Sequence, residues 1–321
     1  MRVASIYAPV QEELAQVEAA LDAVKRNESA LVERMLDHVL SAGGKRLRPT
    51  LVLLAGQFGD YQPRLLVPLA ASIELLHTAT LVHDDVIDAS DTRRGRPTTN
   101  ARHGNATAVM LGDYMFAHAA DLICKTESLD AVKLFSRTLM AMAAGELTQD
   151  MSAYQYGQDT MDYFRRISGK TASLFATSTE GGALVAGAST EAAASLRDYG
   201  ESLGMAFQVV DDILDFTGDE KEMGKPIGSD LMEGTLTLPA LLVMERHPQD
   251  NPIERLFKDR NREEHLADAI RLVQNSDVLD ESYTVARDFC DRALAALGPL
   301  PDTEARAALT DIADYVLSRR A

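Results

Sequence analysis

The chain has 321 residues, 46% hydrophobic and 25% charged, with 32 Lys and Arg against 49 Asp and Glu, a formal net charge of −17. That apolar content is too high for a disordered chain, and the acidic balance excludes nucleic acid as a general partner, because phosphate backbones are held by positive faces. Two cysteines, Cys124 and Cys290, exclude a disulfide scaffold and match no metal-ligand spacing. Each is expected to be a small buried apolar residue in a reducing compartment. No apolar run is read as long enough to span a bilayer, and the first nine residues do not read as a secretory signal, so a cytoplasmic protein is expected.

In chain order, Leu14, Val17, Leu21 and Val24 step by three or four, as do Leu31, Met35 and Val39. Each series predicts one helical face directed to a core. Leu65, Leu69, Ile73, Leu76 and Thr80 carry the same rhythm toward an aspartate cluster. No proline occurs from 98 to 225, so that stretch permits long uninterrupted helices. Leu129–Gln149, Tyr163–Ala186 and Ala192–Phe216 are predicted as three of them. Alternating strand patterns with Asn-Gly or Asp-Gly turns are lacking, as are repeats, linkers and low-complexity tails. The pattern predicts an all-α, single-domain chain over residues 1–321, built from ten or more helices.

Two clusters share one spacing: His83-Asp84-Asp85-Val86-Ile87-Asp88 and Asp211-Asp212-Ile213-Leu214-Asp215. On a helix Asp84 and Asp88 share a face, as do Asp211 and Asp215, and like charges so placed destabilise it unless a cation lies between them. One such cluster reads equally well as a solvated acidic face. Two, each after an apolar run, read as cation sites, since carboxylates on buried helices need compensation. Oxygen ligands without His or Cys neighbours favour Mg²⁺, which keeps waters and binds substrate phosphates.

The basic residues supply the complement. Gly43-Gly44-Lys45-Arg46-Leu47-Arg48-Pro49 sets Lys45 and Arg48 three apart, and Asp91-Thr92-Arg93-Arg94-Gly95-Arg96-Pro97 follows the first cluster. Gly169-Lys170-Thr171 and Met223-Gly224-Lys225-Pro226 add two lysines beside glycines. Such groups suit phosphate oxygens, arginine through its fork and lysine as a point charge. Gly-Lys-Thr lacks the first glycine and the preceding strand of a nucleotide P-loop. His77 reads either as a diphosphate contact or as a satisfied core histidine. No nucleophile–base pair or cofactor motif is evident, and the whole set points to two polyanionic ligands.

These ordered motifs, from Gly43–Pro49 through His77-Thr78-Ala79-Thr80-Leu81-Val82-His83-Asp84-Asp85 to Glu233-Gly234 and Thr237-Leu238-Pro239, span nearly the whole chain. They resemble the trans-isoprenyl diphosphate synthase family, of the medium- to long-chain polyprenyl type. The resemblance implies a helical bundle around a central cavity, a homodimer, and Mg²⁺-dependent addition of isopentenyl diphosphate to an allylic diphosphate such as farnesyl diphosphate. It implies that Asp84, Asp88 and Asp211 ligate Mg²⁺, usually three ions, with Asp85, Asp212 and Asp215 supporting through waters. Arg93, Lys170, Thr171, Gln208 and Lys225 would hold the allylic diphosphate. Lys45, Arg48, His77 and Arg94 would hold that of isopentenyl diphosphate. The catalytic set is then Asp84, Asp88, Lys170, Asp211 and Lys225. The family often has lysine after Glu-Gly, where this chain has Thr235, so one phosphate cation is missing.

Thr80 and Ala79 lie four and five residues before Asp84, one turn deeper along the helix where a growing chain would pass. Short-chain relatives typically place aromatic rings there, so small residues imply a product longer than farnesyl. Phe135, Leu139, Met142, Met115 and Phe116 are candidates for the floor, or else ordinary core. Two other enzymes are weighed: a short-chain geranylgeranyl diphosphate synthase and a terpene cyclase. The intact second Asp motif and the Lys45/Arg48 pair argue against the cyclase. A non-catalytic subunit of a heteromeric synthase would be free to lose the aspartates, and all six are present.

Overall fold

The computed structural model describes residues 3–26, 29–41, 43–218, 226–249, 251–259 and 263–319. The chain is all-α, as its periodicity predicts. The first helices are α1 (Val3–Tyr7), α2 (Gln11–Lys25), α3 (Ala30–Leu40), α4 (Leu47–Gly56) and α5 (Pro63–Ile87). A short hairpin, β1 (Thr92–Arg93) and β2 (Arg96–Pro97), precedes α6 (Thr99–His103), α7 (Asn105–Cys124) and α8 (Leu129–Ser152). Then come α9 (Thr160–Ile167), α10 (Ser173–Val185), α11 (Thr190–Thr217), α12 (Ser229–Met232) and α13 (Leu238–Arg246). The last helices are α14 (Pro252–Lys258), α15 (Glu263–Gln274), α16 (Val278–Ala296) and α17 (Glu304–Ser318). Residues Met1–Arg137, Leu174–Gly200 and Ala296–Ile312 form one compact unit, and Thr138–Ser173, Glu201–Ala295 and Ala313–Ala321 a second.

In the first unit α5 is the core helix. Every residue from Leu69 to Leu76 is buried, the mark of a helix packed on all faces. This corrects the expectation that no segment reaches membrane-spanning length. Pro63–Ile87 is long and apolar enough, with a mean hydropathy of 1.7 in its most apolar window, but 72% of that window is buried inside the protein. Pro68, Ser72, Glu74 and His77 interrupt the run and hide it from a count of consecutive apolar residues. α7 runs antiparallel beside α5: the Ser72 hydroxyl donates to the Ala119 carbonyl at 2.7 Å, and the His83 ring meets the Val109 carbonyl at 3.0 Å. α4 packs against α10 so closely that a Cβ at Gly182 would lie 2.3 Å from the Val52 carbonyl oxygen.

Two further expectations change in this unit. The buried face of α3 is Met35, Leu36 and Leu40, while Leu31, in its first turn, is 50% exposed. Cys124 is exposed at the end of α7, so only Cys290 is buried. The hairpin escapes a search for strands because two-residue strands have no alternation to detect. Its turn residues Arg94 and Gly95 both have positive φ, 50° and 71°, matching the twist of a two-residue hairpin.

In the second unit the predicted helix Tyr163–Ala186 is interrupted: α9 ends at Ile167 and residues Ser168–Ala172 form one π-helical turn. α9 starts on a capping box in which Asp159 accepts from the Asp162 amide at 2.8 Å. Its Tyr163 and Arg166 are buried, and Arg166 donates to the Leu236 carbonyl at 2.5 Å. Tyr154 clamps the loop after α12: its amide donates to the Gly234 carbonyl at 2.9 Å and its hydroxyl to Met232 at 2.5 Å. A Cβ at Gly234, where φ is 80°, would strike the Tyr154 ring, so glycine is required there. Burial pushes the Cys290 thiol up to about 12.

Because nothing soft faces Gly182, Gly182→Ala is expected to destabilise the fold by about 1–3 kcal/mol through overpacking. Thermal unfolding followed by circular dichroism checks this, and an unchanged Tm would contradict the close approach of α4 and α10.

Candidate active site

The first Asp motif ends α5. Asp84 and Asp85 lie in its last turn and Asp88 is the C-cap, with its amide donating to the Asp84 carbonyl at 2.8 Å. Negative charge is unfavourable at a helix C-terminus, where the dipole is itself negative, so this corner calls for a cation. Part of the answer is internal. Arg93, on β1, donates through Nε to Asp85 at 2.6 Å. Burial raises the Asp85 pKa, and Arg93 opposes the rise. The Asn100 amide donates to the Asp85 and Ser90 carbonyls at 3.1 and 3.0 Å, which ties α6 to the end of α5.

The first unit also holds His77, Arg48, Arg94 and Lys45, of which His77 and Arg94 line one pocket with Asp85 and Arg93. His77, about three turns before the end of α5, is half-buried and its pKa lies well below 6.5. Burial is the main cause, followed by the positive fields of Arg48, Arg94 and Arg93. It is therefore a neutral imidazole within the positive field of these three guanidinium groups. Arg48 stacks on the Phe175 ring at 4.6 Å, Arg94 donates to the Gly43 carbonyl, and Lys45 is exposed, its carbonyl accepting from Tyr7 at 2.6 Å. An open pocket is lined by Gly43, Arg46, Glu74, His77, Asp85, Arg93 and Arg94 among others.

Arg46, unassigned by the sequence reading, turns inward. It caps α4 with φ 48° and ψ 35°, a left-handed conformation that costs a residue bearing Cβ roughly 1–2 kcal/mol. Its guanidinium forks onto Glu18 of α2 and reaches buried Glu74 of α5 at 2.8 Å. Burial opposes its charge, but Glu18 and Glu74 more than compensate and raise its pKa.

The second unit carries the other half of the expected set. Asp211, Asp212 and Asp215 occupy the last two turns of α11, again at the negative end of a helix. Asp211 pairs with Arg319 at 2.7 Å, and Arg319 stacks over Phe207 at 4.2 Å. Asp212 is buried and joins a chain of hydrogen bonds. Tyr163 donates to it at 2.7 Å, Gln208 donates to it at 2.8 Å, and Thr171 donates to Gln208 at 2.8 Å. Asp215 is fully buried and faces α12, accepting from the Ser229 hydroxyl at 2.9 Å and the Asp230 amide at 3.4 Å. Lys170 sits on the π turn and pairs with Glu146 at 2.5 Å. The turn packs backbone to backbone on α8: a Cβ at Gly145 would lie 2.8 Å from the Lys170 amide nitrogen. Lys225 lies outside the described residues. Thr235, in place of the usual lysine, is half-buried and donates its amide to Asp230 at 2.8 Å.

The chain-length candidates divide by helix face. Ser72, Ala79 and His83 fall within about 40° on a helical projection, so fully buried Ala79 lies on the α7-facing stripe. Thr80 shares the Asp84 face and donates to the His77 carbonyl at 2.7 Å. Phe135, Met142 and Met115 are buried, Leu139 is half-buried, and Phe116 packs edge-on against the His83 ring at 5.2 Å. Sequence reasoning missed Arg46, Glu74, Tyr163, Glu146 and Arg319. Only Gly145, a glycine inside a helical pattern, carried a usable signal.

The donor chemistry fits Mg²⁺. Among the described residues no group of three or more His, Cys, Asp or Glu side chains is placed to hold a metal ion by itself. Mg²⁺ suits that arrangement, since one or two carboxylates hold it while waters and substrate phosphates complete its shell.

Two predictions follow from the second unit. Burial, and then the negative field of Asp230, pushes Asp212 up to about 7 from 3.8. The folded chain therefore holds this proton more tightly than the unfolded chain. The resulting stabilisation is full below pH 3.8 and is lost as pH rises toward about 7. In a chelator, Tm should fall between pH 5 and pH 8 more steeply in the wild type than in Asp212→Asn; equal slopes would contradict this. Gly145→Ala should push the π turn away from α8 and lower Tm, measured by thermal unfolding; an unchanged Tm would contradict this close approach.

Comparison with known proteins places these features in context. Residues 29–273 match the family described as polyprenyl synthetase. The chain is 39% identical over 319 residues to heptaprenyl diphosphate synthase component 2 of Geobacillus stearothermophilus, covering 99% of each. It is 35% identical over 321 residues to octaprenyl diphosphate synthase of Escherichia coli (strain K12), also covering 99% of each. A crystal structure of polyprenyl synthase from Caulobacter crescentus CB15, complexed with calcium and isoprenyl diphosphate, matches with a TM-score of 0.95. It is 36% identical and the match covers 99% of this chain and 98% of that one. With matched residues that include both Asp motifs and the cations around them, the chain belongs to the polyprenyl synthetase family.

Proposed function

We propose that this prenyltransferase elongates an allylic diphosphate with isopentenyl diphosphate units, in a Mg²⁺-dependent reaction giving a medium- to long-chain all-trans polyprenyl diphosphate. The observation that carries the proposal is that each unit ends a helix in an Asp-Asp-x-x-Asp motif and gathers diphosphate-suited cations or donors beside it. Asp84, Asp88 and Asp211 would hold Mg²⁺, three ions by resemblance to the family, with Asp85, Asp212 and Asp215 fixing the surrounding structure. Bound Mg²⁺ supplies Lewis-acid charge stabilisation for a leaving diphosphate.

The protein's own groups do the rest. Lys170, Arg93, Thr171, Gln208 and Lys225 orient the allylic diphosphate and take up the charge that develops as its carbon–oxygen bond breaks. Lys45, Arg48, Arg94 and neutral His77 hold the diphosphate of isopentenyl diphosphate, whose double bond attacks the allylic carbon. Loss of one proton completes the step, with the released diphosphate as base. We further propose a cytoplasmic homodimer. A second reading, one component of a two-component synthase, is favoured by the name of the Geobacillus relative.

Incubating the purified protein alone with Mg²⁺, farnesyl diphosphate and labelled isopentenyl diphosphate tests the proposal. Butanol-extractable label supports self-sufficient elongation, and activity only with a second polypeptide supports the two-component reading. Asp84→Ala should lower kcat by roughly 10²–10³-fold, the scale of losing a preorganised charge contact; near-normal turnover would refute its role. Thr80→Phe should shorten the product on reverse-phase chromatography. An unchanged distribution would remove Thr80 from the path of the growing chain.

A further inference from the structure

Arg46 stands in sequence between the two proposed diphosphate cations, Lys45 and Arg48, and lines the pocket with His77 and Arg94, yet its guanidinium is committed to carboxylates. Nε and Nη2 engage both carboxylate oxygens of Glu18, Nη1 donates to Glu74 at 2.8 Å, and Nη2 also reaches the Leu40 carbonyl at 3.5 Å. The carbonyl of Arg46 accepts from the amide and hydroxyl of Thr50, at 3.1 and 2.8 Å, so the same residue begins α4. One residue therefore joins α2, α5 and the end of α3 through its guanidinium and the start of α4 through its carbonyl.

Glu74 extends the connection. It is 6% exposed and lies one turn before His77 on α5, with its carbonyl accepting from Thr78 at 2.8 Å. A Cβ at Gly44 would lie 3.5 Å from Arg94, 3.8 Å from Arg46 and 3.8 Å from Glu74, so this loop rests directly on the ion pair. We propose that Arg46, with Glu18 and Glu74, is a positioning lock for isopentenyl diphosphate binding. It sets the backbone from which Lys45 and Arg48 project and fixes it to the α5 turn that carries His77. The left-handed backbone at Arg46 is the consequence: its side chain turns inward while its neighbours on either side serve the ligand. Arg46 itself does not grip phosphate, because its fork is committed to two carboxylates.

This inference rests on the proposed assignment of isopentenyl diphosphate to Lys45, Arg48, His77 and Arg94. The test measures steady-state KM and kcat for both substrates and calorimetric binding of isopentenyl diphosphate, with Tm as a folding control. Arg46→Lys keeps the charge and loses the fork, and Glu74→Gln keeps the shape and loses the charge. Both are expected to weaken isopentenyl diphosphate binding and raise its KM about fivefold or more, as coupled neighbours do, with kcat and the allylic KM within about twofold of wild type. The direction for Glu74→Gln is decisive. If Glu74 acts only through its field, removing a negative charge would tighten binding of an anion, and that result would overturn the lock. A wild-type KM in Arg46→Lys would overturn it as well. Lys45→Ala and Arg48→Ala separate the two levels: if they leave isopentenyl diphosphate binding unchanged, the substrate assignment itself fails.

Discussion

Three carboxylates crowd the C-terminal end of α5 and three more the last two turns of α11, where the helix dipole already presents its negative pole. Neither arrangement is stable as a bare cluster of charges. Each is answered locally by a cation or a donor: Arg93 on Asp85, Arg319 on Asp211, and Tyr163 and Gln208 on Asp212. Both motifs are thereby held at helix ends rather than on loops. Metal and diphosphate chemistry is the natural use of such a corner, because a divalent ion and an anionic substrate together leave little net charge behind.

Close backbone approach supplies the precision. The π turn at Ser168–Ala172 sits against Gly145, and α4 sits against Gly182, with a backbone atom nearest in each case. A single π turn also shifts the register of the following helix, which re-aims Lys170 and Thr171 relative to an uninterrupted helix. Asp215 illustrates a related economy of position. Although it belongs to the second motif, it holds Ser229 and the start of α12, so the motif anchors its own surroundings.

Much of this was legible in the sequence. Helical periodicity marked α2, α5, α8 and α11, because one buried face repeats at 3.6 residues whatever it packs against. The two Asp motifs were legible because i and i+4 share a face by helix geometry alone. The break at Ser168–Ala172 was not, since a π turn keeps apolar spacing nearly helical. Leu31 and Cys124 lie on sides of α3 and α7 that no neighbour covers, which local pattern does not reveal. Membrane-like apolarity in α5 was hidden by polar residues that the folded core satisfies, such as Ser72 on the Ala119 carbonyl.

By itself, then, the amino-acid sequence determined the helical class, the metal-suited carboxylates and the type of cation set beside them. These depend on residue chemistry and on spacing within one helix. Tertiary structure alone decided that His77 is a neutral imidazole among three guanidinium groups. It alone decided that Arg46 serves Glu18 and Glu74, and that Tyr163 and Gln208 converge on Asp212. Apart from Gln208, one turn before Asp212 on α11, those partners come from distant parts of the chain, so their charge states and hydrogen bonds come into being only when packing brings the helices together.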